Sequence, residues 1–287
     1  MRILIIGGTG TVGSQIALNL AGRGESVRVM TRSAEKAKAV PRGVEAVTGD
    51  LDTPASLAGA FRDVDAVFLA TPLSPTETQA GLAAVAAARS AGVRRLVYMS
   101  VHNLERAPHI PHFKSKLPIE KSVRESGLEY TILAPNNFFQ NDLWMREAIV
   151  RWGVYPQPIG NVGLNRVDVR DIADAAARAL TEPGHNGKKY PLVGPDLLTG
   201  ESTAQIYSRR LGREVRYAGD NLDLWAEQMR RMLPDWMVRD LRIMYEYFQA
   251  HGLPAAKEDL DQQAAILGHA PRSFDAFVAG LAPEWRA

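Results

Sequence analysis

Cysteine is absent from the chain, which removes thiol nucleophiles, thiolate-held metal and disulfides together and fits a reducing compartment. An excess of charge of one sign is missing too. The 34 lysines and arginines stand against 32 aspartates and glutamates, scattered among one another, for a net charge of +2. Without a stripe of cations there is no electrostatic footprint for nucleic acid, and direct DNA binding is not expected. Long apolar runs are lacking as well: Gly, Pro or a charge interrupts each within about ten residues, too few to cross a bilayer. The first run, Arg2 to Ile6, breaks at once into glycines rather than continuing as a secretory leader. The expectation is a cytoplasmic protein with no membrane partner. The histidines His102, His109, His112, His185, His251 and His269 show no zinc spacing, so no metal is expected. No Lys-Ser or Lys-Thr follows the N-terminal glycines, which excludes a P-loop NTPase. At 46% hydrophobic and 23% charged residues, the chain has the composition of an ordinary folded protein.

What is present is a repeated alternation of short β-branched runs and longer Ala-rich stretches. The spacing predicts strands at Arg2 to Ile6, Ser26 to Met30, Val44 to Val47, Ala66 to Ala70, Arg95 to Met99 and Glu129 to Leu133. Helices are expected at Gly13 to Gly22, Ala34 to Ala39, Pro54 to Phe61, Thr76 to Ala91 and Phe113 to Glu125. Strand-helix repetition of this kind predicts an α/β fold, a Rossmann-type doubly wound parallel sheet with a smaller, mostly helical C-terminal region. The expected division is a dinucleotide-binding domain over 1–150 and a substrate-pocket region over 151–287, with 165–182 returning to the first domain. The stripe Trp225, Met229, Met232, Leu233, Trp236, Met237, Leu241, Met244, Tyr245 and Phe248 reads first as core, and second as a pocket cover.

The loop Gly7-Gly8-Thr9-Gly10-Thr11-Val12-Gly13 follows the first strand and opens the first helix, the context that gives a glycine fingerprint its meaning. Gly7 permits the tight turn, Gly10 the approach of backbone N–H groups to a diphosphate, and Gly13 the close packing of helix on strand. Thr9, Thr11 and Val12 belong to the same cradle. At the end of the second strand stand Thr31, Arg32 and Ser33 with no carboxylate, a set suited to a ribose phosphate and so to NADP(H) over NAD(H). Asp50 and Leu51 end the third strand. Asp50 is read as an acceptor for the adenine amino group or equally as a helix cap. Ala70 and Thr71 at the end of the fourth strand, with Pro135, Asn137 and Phe138 after the sixth, complete the expected cofactor wall at the carboxyl edge of the sheet.

With these residues, Ser100, and the stretches Leu133 to Asn141 and Val167 to Ala173 in view, the chain resembles the NmrA-like branch of the atypical short-chain dehydrogenase/reductase superfamily. The resemblance extends to about Pro195. It implies either a reductase acting on quinones, triphenylmethane dyes or plant phenolic ethers, or an NADP-sensing regulator without activity. The superfamily's enzymes carry a Tyr-x-x-x-Lys pair, and here His112 stands at the tyrosine position with Lys116 on the lysine. By resemblance Lys116 binds the nicotinamide ribose. Lys114 matches the acid or base of the plant reductases, whereas His-Phe-x-x-Lys matches the sensors. Imidazole titrates near neutrality and is able to deliver a proton, so the expected catalytic set is His112, Lys116 and Ser100, with Ser100 orienting substrate or His112. Ala134 departs from the family's arginine before this proline.

Phe138 and Phe139 are candidates to flank the nicotinamide, and Gln140, Asn141, Trp144 and Tyr155 to extend the site toward an aromatic substrate, with Trp144 read mainly as buried packing. Asp168 and Asp171 read as helix-capping residues. The leading expectation is an NADP(H)-dependent oxidoreductase that transfers hydride to a small aromatic or quinone-like substrate. Its rival is a redox sensor acting through a protein partner, and an epimerase ranks last because it would need the missing tyrosine.

Overall fold

In the computed structural model, which describes residues 1–38 and 40–286, Arg2–Ile6 forms the strand β1. Its side chains alternate between two faces: Ile3 and Ile5 enter one apolar cluster, Leu4 and Ile6 another. Each fully buried Ile or Leu contributes about 1.5–3 kcal/mol. Further strands are β2 (Ser26–Thr31), β3 (Glu45–Thr48), β4 (Ala66–Leu69), β5 (Arg95–Met99), β6 (Glu129–Pro135), β7 (Val154–Tyr155), β8 (Lys188–Leu192) and β9 (Arg216–Tyr217). Seven of them form one parallel sheet in the order β3-β2-β1-β4-β5-β6-β8. The other two, β7 and β9, pair by themselves. The order reverses between β1 and β4, which opens a crevice at their carboxyl ends.

The helices are α1 (Thr11–Gly22), α2 (Ala34–Ala37), α3 (Leu57–Ala60), α4 (Glu77–Ser90), α5 (Pro111–Lys114), α6 (Lys116–Arg124), α7 (Arg146–Trp152), α8 (Val169–Thr181), α9 (Gly200–Leu211), α10 (Leu222–Met229), α11 (Asp235–His251), α12 (Lys257–Leu267) and α13 (Phe274–Trp285). The expected end of the second helix at Ala39 lies outside the described residues. One face of the sheet is covered by α1, α8 and α12, the other by α3, α4 and α6. The alanines Ala173, Ala175, Ala176, Ala177 and Ala179 of α8 are all buried, and their small side chains let α8 lie close against α1 and the sheet.

A third apolar cluster, built from the segment after β6 and from α7, α9, α10, α11 and α13, forms the smaller region. Trp225, Met244, Tyr245 and Phe248 are buried in it, so much of the aromatic stripe is core, although Met232 is exposed. The return to the sheet runs further than the sequence rhythm implies. Beyond α8 it includes the outer strand β8, and α12 packs against β8. No helix among the described residues is long and apolar enough to cross a membrane.

Candidate active site

The cofactor turn is built from backbone constraints. Gly7 sits at φ +82°, and an added Cβ there would meet Ala70 O at 3.0 Å, so the loops after β1 and β4 are nearly in contact. The N–H of Gly10 donates to Gly7 O at 3.0 Å and closes the turn. At the start of α1 the capping residue is Gly10, which brings no side-chain cap, and the first turn has no acid. The N–H groups of Thr11, Val12 and Gly13 therefore have no hydrogen-bond partner among the described residues, and these residues line an open cleft of about 390 Å³. Bare N–H donors at the positive end of a helix fit a diphosphate.

Gly7, Thr9 and Gly10 also line the cleft, and so do Thr31, Arg32, Asp50, Leu51, Ala70, Thr71 and Phe138. Ser33 does not: its hydroxyl caps α2 by accepting the N–H of Lys36 at 3.3 Å. The cleft gains Lys36 instead, which sequence reasoning missed although its place four residues after Arg32 at a helix start is a readable signal. Neither the Arg32 nor the Lys36 side chain has a hydrogen-bond or ion-pair partner among the described residues. Two such cations at the β2 end fit a second phosphate, so the residues present suit NADP(H).

Lys116 stands beside the cleft wall rather than in the lining. Its ammonium pairs with Glu77 Oε1 and lies 3.5 Å from Thr71 Oγ1. Glu77 opens α4, is 1% exposed, and also accepts from Thr71 at 2.7 Å and Ser115 at 2.6 Å. A buried carboxylate with three donors is a fixed anchor, and it holds the lysine next to the cleft residue Thr71. Glu77 was missed because only its partner's burial would reveal the need for it.

Ser100 and His112 are not brought together. The Ser100 hydroxyl donates to Glu120 Oε1 at 2.5 Å, and Glu120 is further paired with Arg124 at 2.6 Å and Lys189 at 3.0 Å. Ser100 is outside the cleft lining; its hydroxyl serves a buried ion cluster behind β5, which corrects the expectation that it orients His112. The His112 Nδ1 lies 2.5 Å from Asp240 Oδ1, and the His112 backbone N–H points at the same oxygen from 3.4 Å. Asp240 is on α11. Nε2 of His112 has no hydrogen-bond partner among the described residues and the side chain is 14% exposed, so the carboxylate holds one edge of the ring and leaves the other nitrogen unpaired. Lys114 is exposed. The expected continuous helix from Phe113 is interrupted at Ser115.

After β6, Asn137 Oδ1 accepts from Arg166 Nε at 3.0 Å and Phe138 O from Arg166 Nη2 at 2.8 Å. Neither Pro135 nor Asn137 lines the cleft; Phe138 and Asn141 do. Phe139 is fully buried and edge-on to Phe274 at 5.0 Å, so it is core and does not flank a nicotinamide. Tyr155 is fully buried and its hydroxyl meets Arg166 at 3.2 Å, which removes it from any substrate wall. Gln140 is spent on the α8 start, donating to Asp168 at 2.9 Å and accepting from Val169 N–H at 3.0 Å. Trp144, expected as buried packing, is 85% exposed.

Asp168 caps α8 through the N–H of Arg170 at 2.9 Å. Asp171, Asp174 and His269 converge closely enough to suggest a cation site, but the Arg272 guanidinium already pairs with both carboxylates. Burial holds the Asp171 carboxyl above its ordinary range despite that guanidinium.

A family model described as "NmrA-like family" matches residues 1–278. The NAD(P)H azoreductase of Xenophilus azovorans is 34% identical over 289 residues, 99% of each chain. The (4-alkanoyl-5-oxo-2,5-dihydrofuran-3-yl)methyl phosphate reductase of Streptomyces griseus is 40% identical over 218 residues, 75% of this chain and 76% of that protein. Among solved structures, an NADPH-dependent quinone oxidoreductase of Escherichia coli superposes with a TM-score of 0.83 at 25% identity, covering 97% of this chain and 99% of the other.

Proposed function

The chain belongs to the NmrA-like family, and from that premise we propose that it is an NADPH-dependent oxidoreductase whose acceptor is a small aromatic compound of the quinone or azo class. The observation that carries the reading is the pairing, in one cleft, of bare N–H groups at the start of α1 with the cations Arg32 and Lys36 at the end of β2, which have no partner among the described residues. The N–H groups take the diphosphate and the cations take the 2′-phosphate that separates NADPH from NADH. When bound, NADPH supplies a hydride, two electrons with one hydrogen, which together with one proton converts a quinone to a hydroquinone. Relatives named as an azoreductase and a quinone oxidoreductase support that acceptor class.

The chain's own groups handle position and proton. Lys116 donates to the nicotinamide ribose, a role supported by its position beside the cleft residue Thr71, where Glu77 holds it. His112, which lies outside the cleft lining and whose Nδ1 is held by Asp240, is the candidate proton donor toward an acceptor that reaches its Nε2. Phe138 lines the cleft and supplies an apolar surface for the nicotinamide.

Titration with NADPH and NADH, followed by a screen of quinones and azo dyes at saturating cofactor, tests the reading. NADPH is expected to bind at least about tenfold more tightly, a difference that Arg32→Ala with Lys36→Ala abolishes, since hydrogen bonds to charged groups contribute about 1.5–3 kcal/mol. Comparable affinity for both cofactors in the unaltered protein would overturn the NADPH assignment. Binding without turnover on any acceptor would favour the redox-sensor reading. Unchanged turnover in His112→Ala would remove His112 as proton donor.

A further inference from the structure

The segment Phe139–Met145 is a 3-10 helix, which advances three residues per turn and stacks every third side chain in a row. One row, Phe139, Asp142 and Met145, faces inward: the first two are fully buried and Met145 packs against the smaller region's core. Asp142 is clamped there by Arg166 at 2.7 Å, Gln157 at 2.6 Å and Tyr207 at 3.0 Å, so the segment cannot roll about its axis. The neighbouring row starts at the capping residue Phe138 and continues through Asn141 to Trp144. Phe138 and Asn141 line the cofactor cleft. Trp144, one turn on, is 85% exposed, the most exposed of the large apolar side chains. An indole held out to solvent on a backbone fixed from behind contributes nothing to the core, yet its row leads directly into the cofactor site.

We propose that the row Phe138–Asn141–Trp144 is the acceptor subsite, built for an elongated molecule with two aromatic rings joined through a conjugated bridge. The inference rests on the reductase reading above and deepens it. At about 2 Å rise per residue, the six steps from Phe138 to Trp144 span roughly 12 Å, too far for a single ring. The reducible part lies against Phe138 at the nicotinamide end, the Asn141 amide offers a hydrogen bond midway, and the distal ring stacks on the Trp144 indole. Stacking gains most from flat, polarisable partners, so the subsite selects length and flatness rather than a particular functional group.

The test uses methyl orange, a two-ring azo dye, as the long probe and 1,4-benzoquinone as the short one. Methyl orange is titrated calorimetrically into protein saturated with NADP⁺, which cannot reduce it, and benzoquinone reduction is followed with NADPH. Trp144→Ala is expected to weaken methyl orange binding about tenfold and Trp144→Phe no more than about threefold, in line with alanine truncation at stacking platforms. Both variants should keep the NADP⁺ affinity of the unaltered protein, and any loss in benzoquinone kcat/KM should stay well below the loss in methyl orange affinity. Failure of the unaltered protein to bind methyl orange, unchanged binding in Trp144→Ala, or equal losses for both probes would overturn the subsite. If methyl orange binds in a Trp144-dependent way while neither it nor benzoquinone is reduced when NADPH replaces NADP⁺, the subsite stands and the reductase reading falls.

Discussion

At Gly13 an added Cβ would stand 2.3 Å from Gly7 O and 2.7 Å from Gly8 Cα, and neither backbone atom can move aside by rotating a side chain. Gly13→Ala must push the first turn of α1 away from β1 and with it the unpartnered N–H groups. The variant should lose about 1–3 kcal/mol of stability in urea denaturation, a usual cost of overpacking, and its melting temperature should no longer rise with NADPH. A variant that kept full NADPH affinity would place the diphosphate elsewhere. Individual residues differ in how openly the sequence announces them. The glycines of this turn are legible because their spacing, the strand before them and the helix after them are all local. Arg32 is legible for the same reason. Glu77 and Asp240 are not, since each meets its partner across a long stretch of chain, 39 residues to Lys116 and 128 to His112, and no local pattern records which side chains a fold brings together.

Among the elements, β1 and β5 have the bounds that their apolar runs imply, because a strand buried on both faces must be apolar throughout. The outer strand β8 was not foreseen. It begins with two lysines and contains Pro191, a composition that argues against an interior strand and is tolerated at a sheet edge, where one side of the backbone needs no partner. The 3-10 segment after β6 was also illegible, since a three-residue period matches neither helix nor strand templates, and the misplacement of Phe139 and Trp144 follows from it.

The docking of α12 has a pH dependence that can be worked out in sign. His102 is 2% exposed, with Nε2 at 3.0 Å from Asp259 in the first turn of α12 and Nδ1 at 3.3 Å from Asn136. Burial pulls its pKa below 6.5, with Arg106 and Lys189 adding to the effect and Asp259 opposing it. The unfolded chain takes up the proton near its ordinary value and the folded chain resists, so this stabilising contribution is complete above pH 6.5 and declines as the pH falls below it. His185, also lowered first by burial, acts in the same direction. The urea midpoint should drop between about pH 7 and pH 5, with amide exchange in α12 accelerating early, and His102→Gln should flatten the slope. An identical slope in the variant would assign the dependence to other groups.

Across the whole molecule, the sheet and the smaller region are joined through Arg166. Its guanidinium is fully buried and reaches Asp142, Tyr155, Asn137 and the Phe138 carbonyl. Burial alone would lower its pKa, but the adjacent Asp142 charge more than reverses this and keeps it cationic. Removing either partner strands the other: Arg166→Met or Asp142→Leu should each cost about 3–5 kcal/mol. The double replacement should cost clearly less than the sum in a urea-denaturation cycle, and strict additivity would show that the two charges do not depend on each other.

The sheet order carries a consequence for synthesis of the chain. Ile3, Ile5 and Phe68 share their cluster with α8, and the edge beside β6 is closed only by β8, which ends at Leu192. A nascent chain still tethered before that point exposes an oily sheet face and an open strand edge, both of which invite aggregation. Translation must therefore run to the end of β8, well past the nucleotide-binding half, before that half can close its sheet.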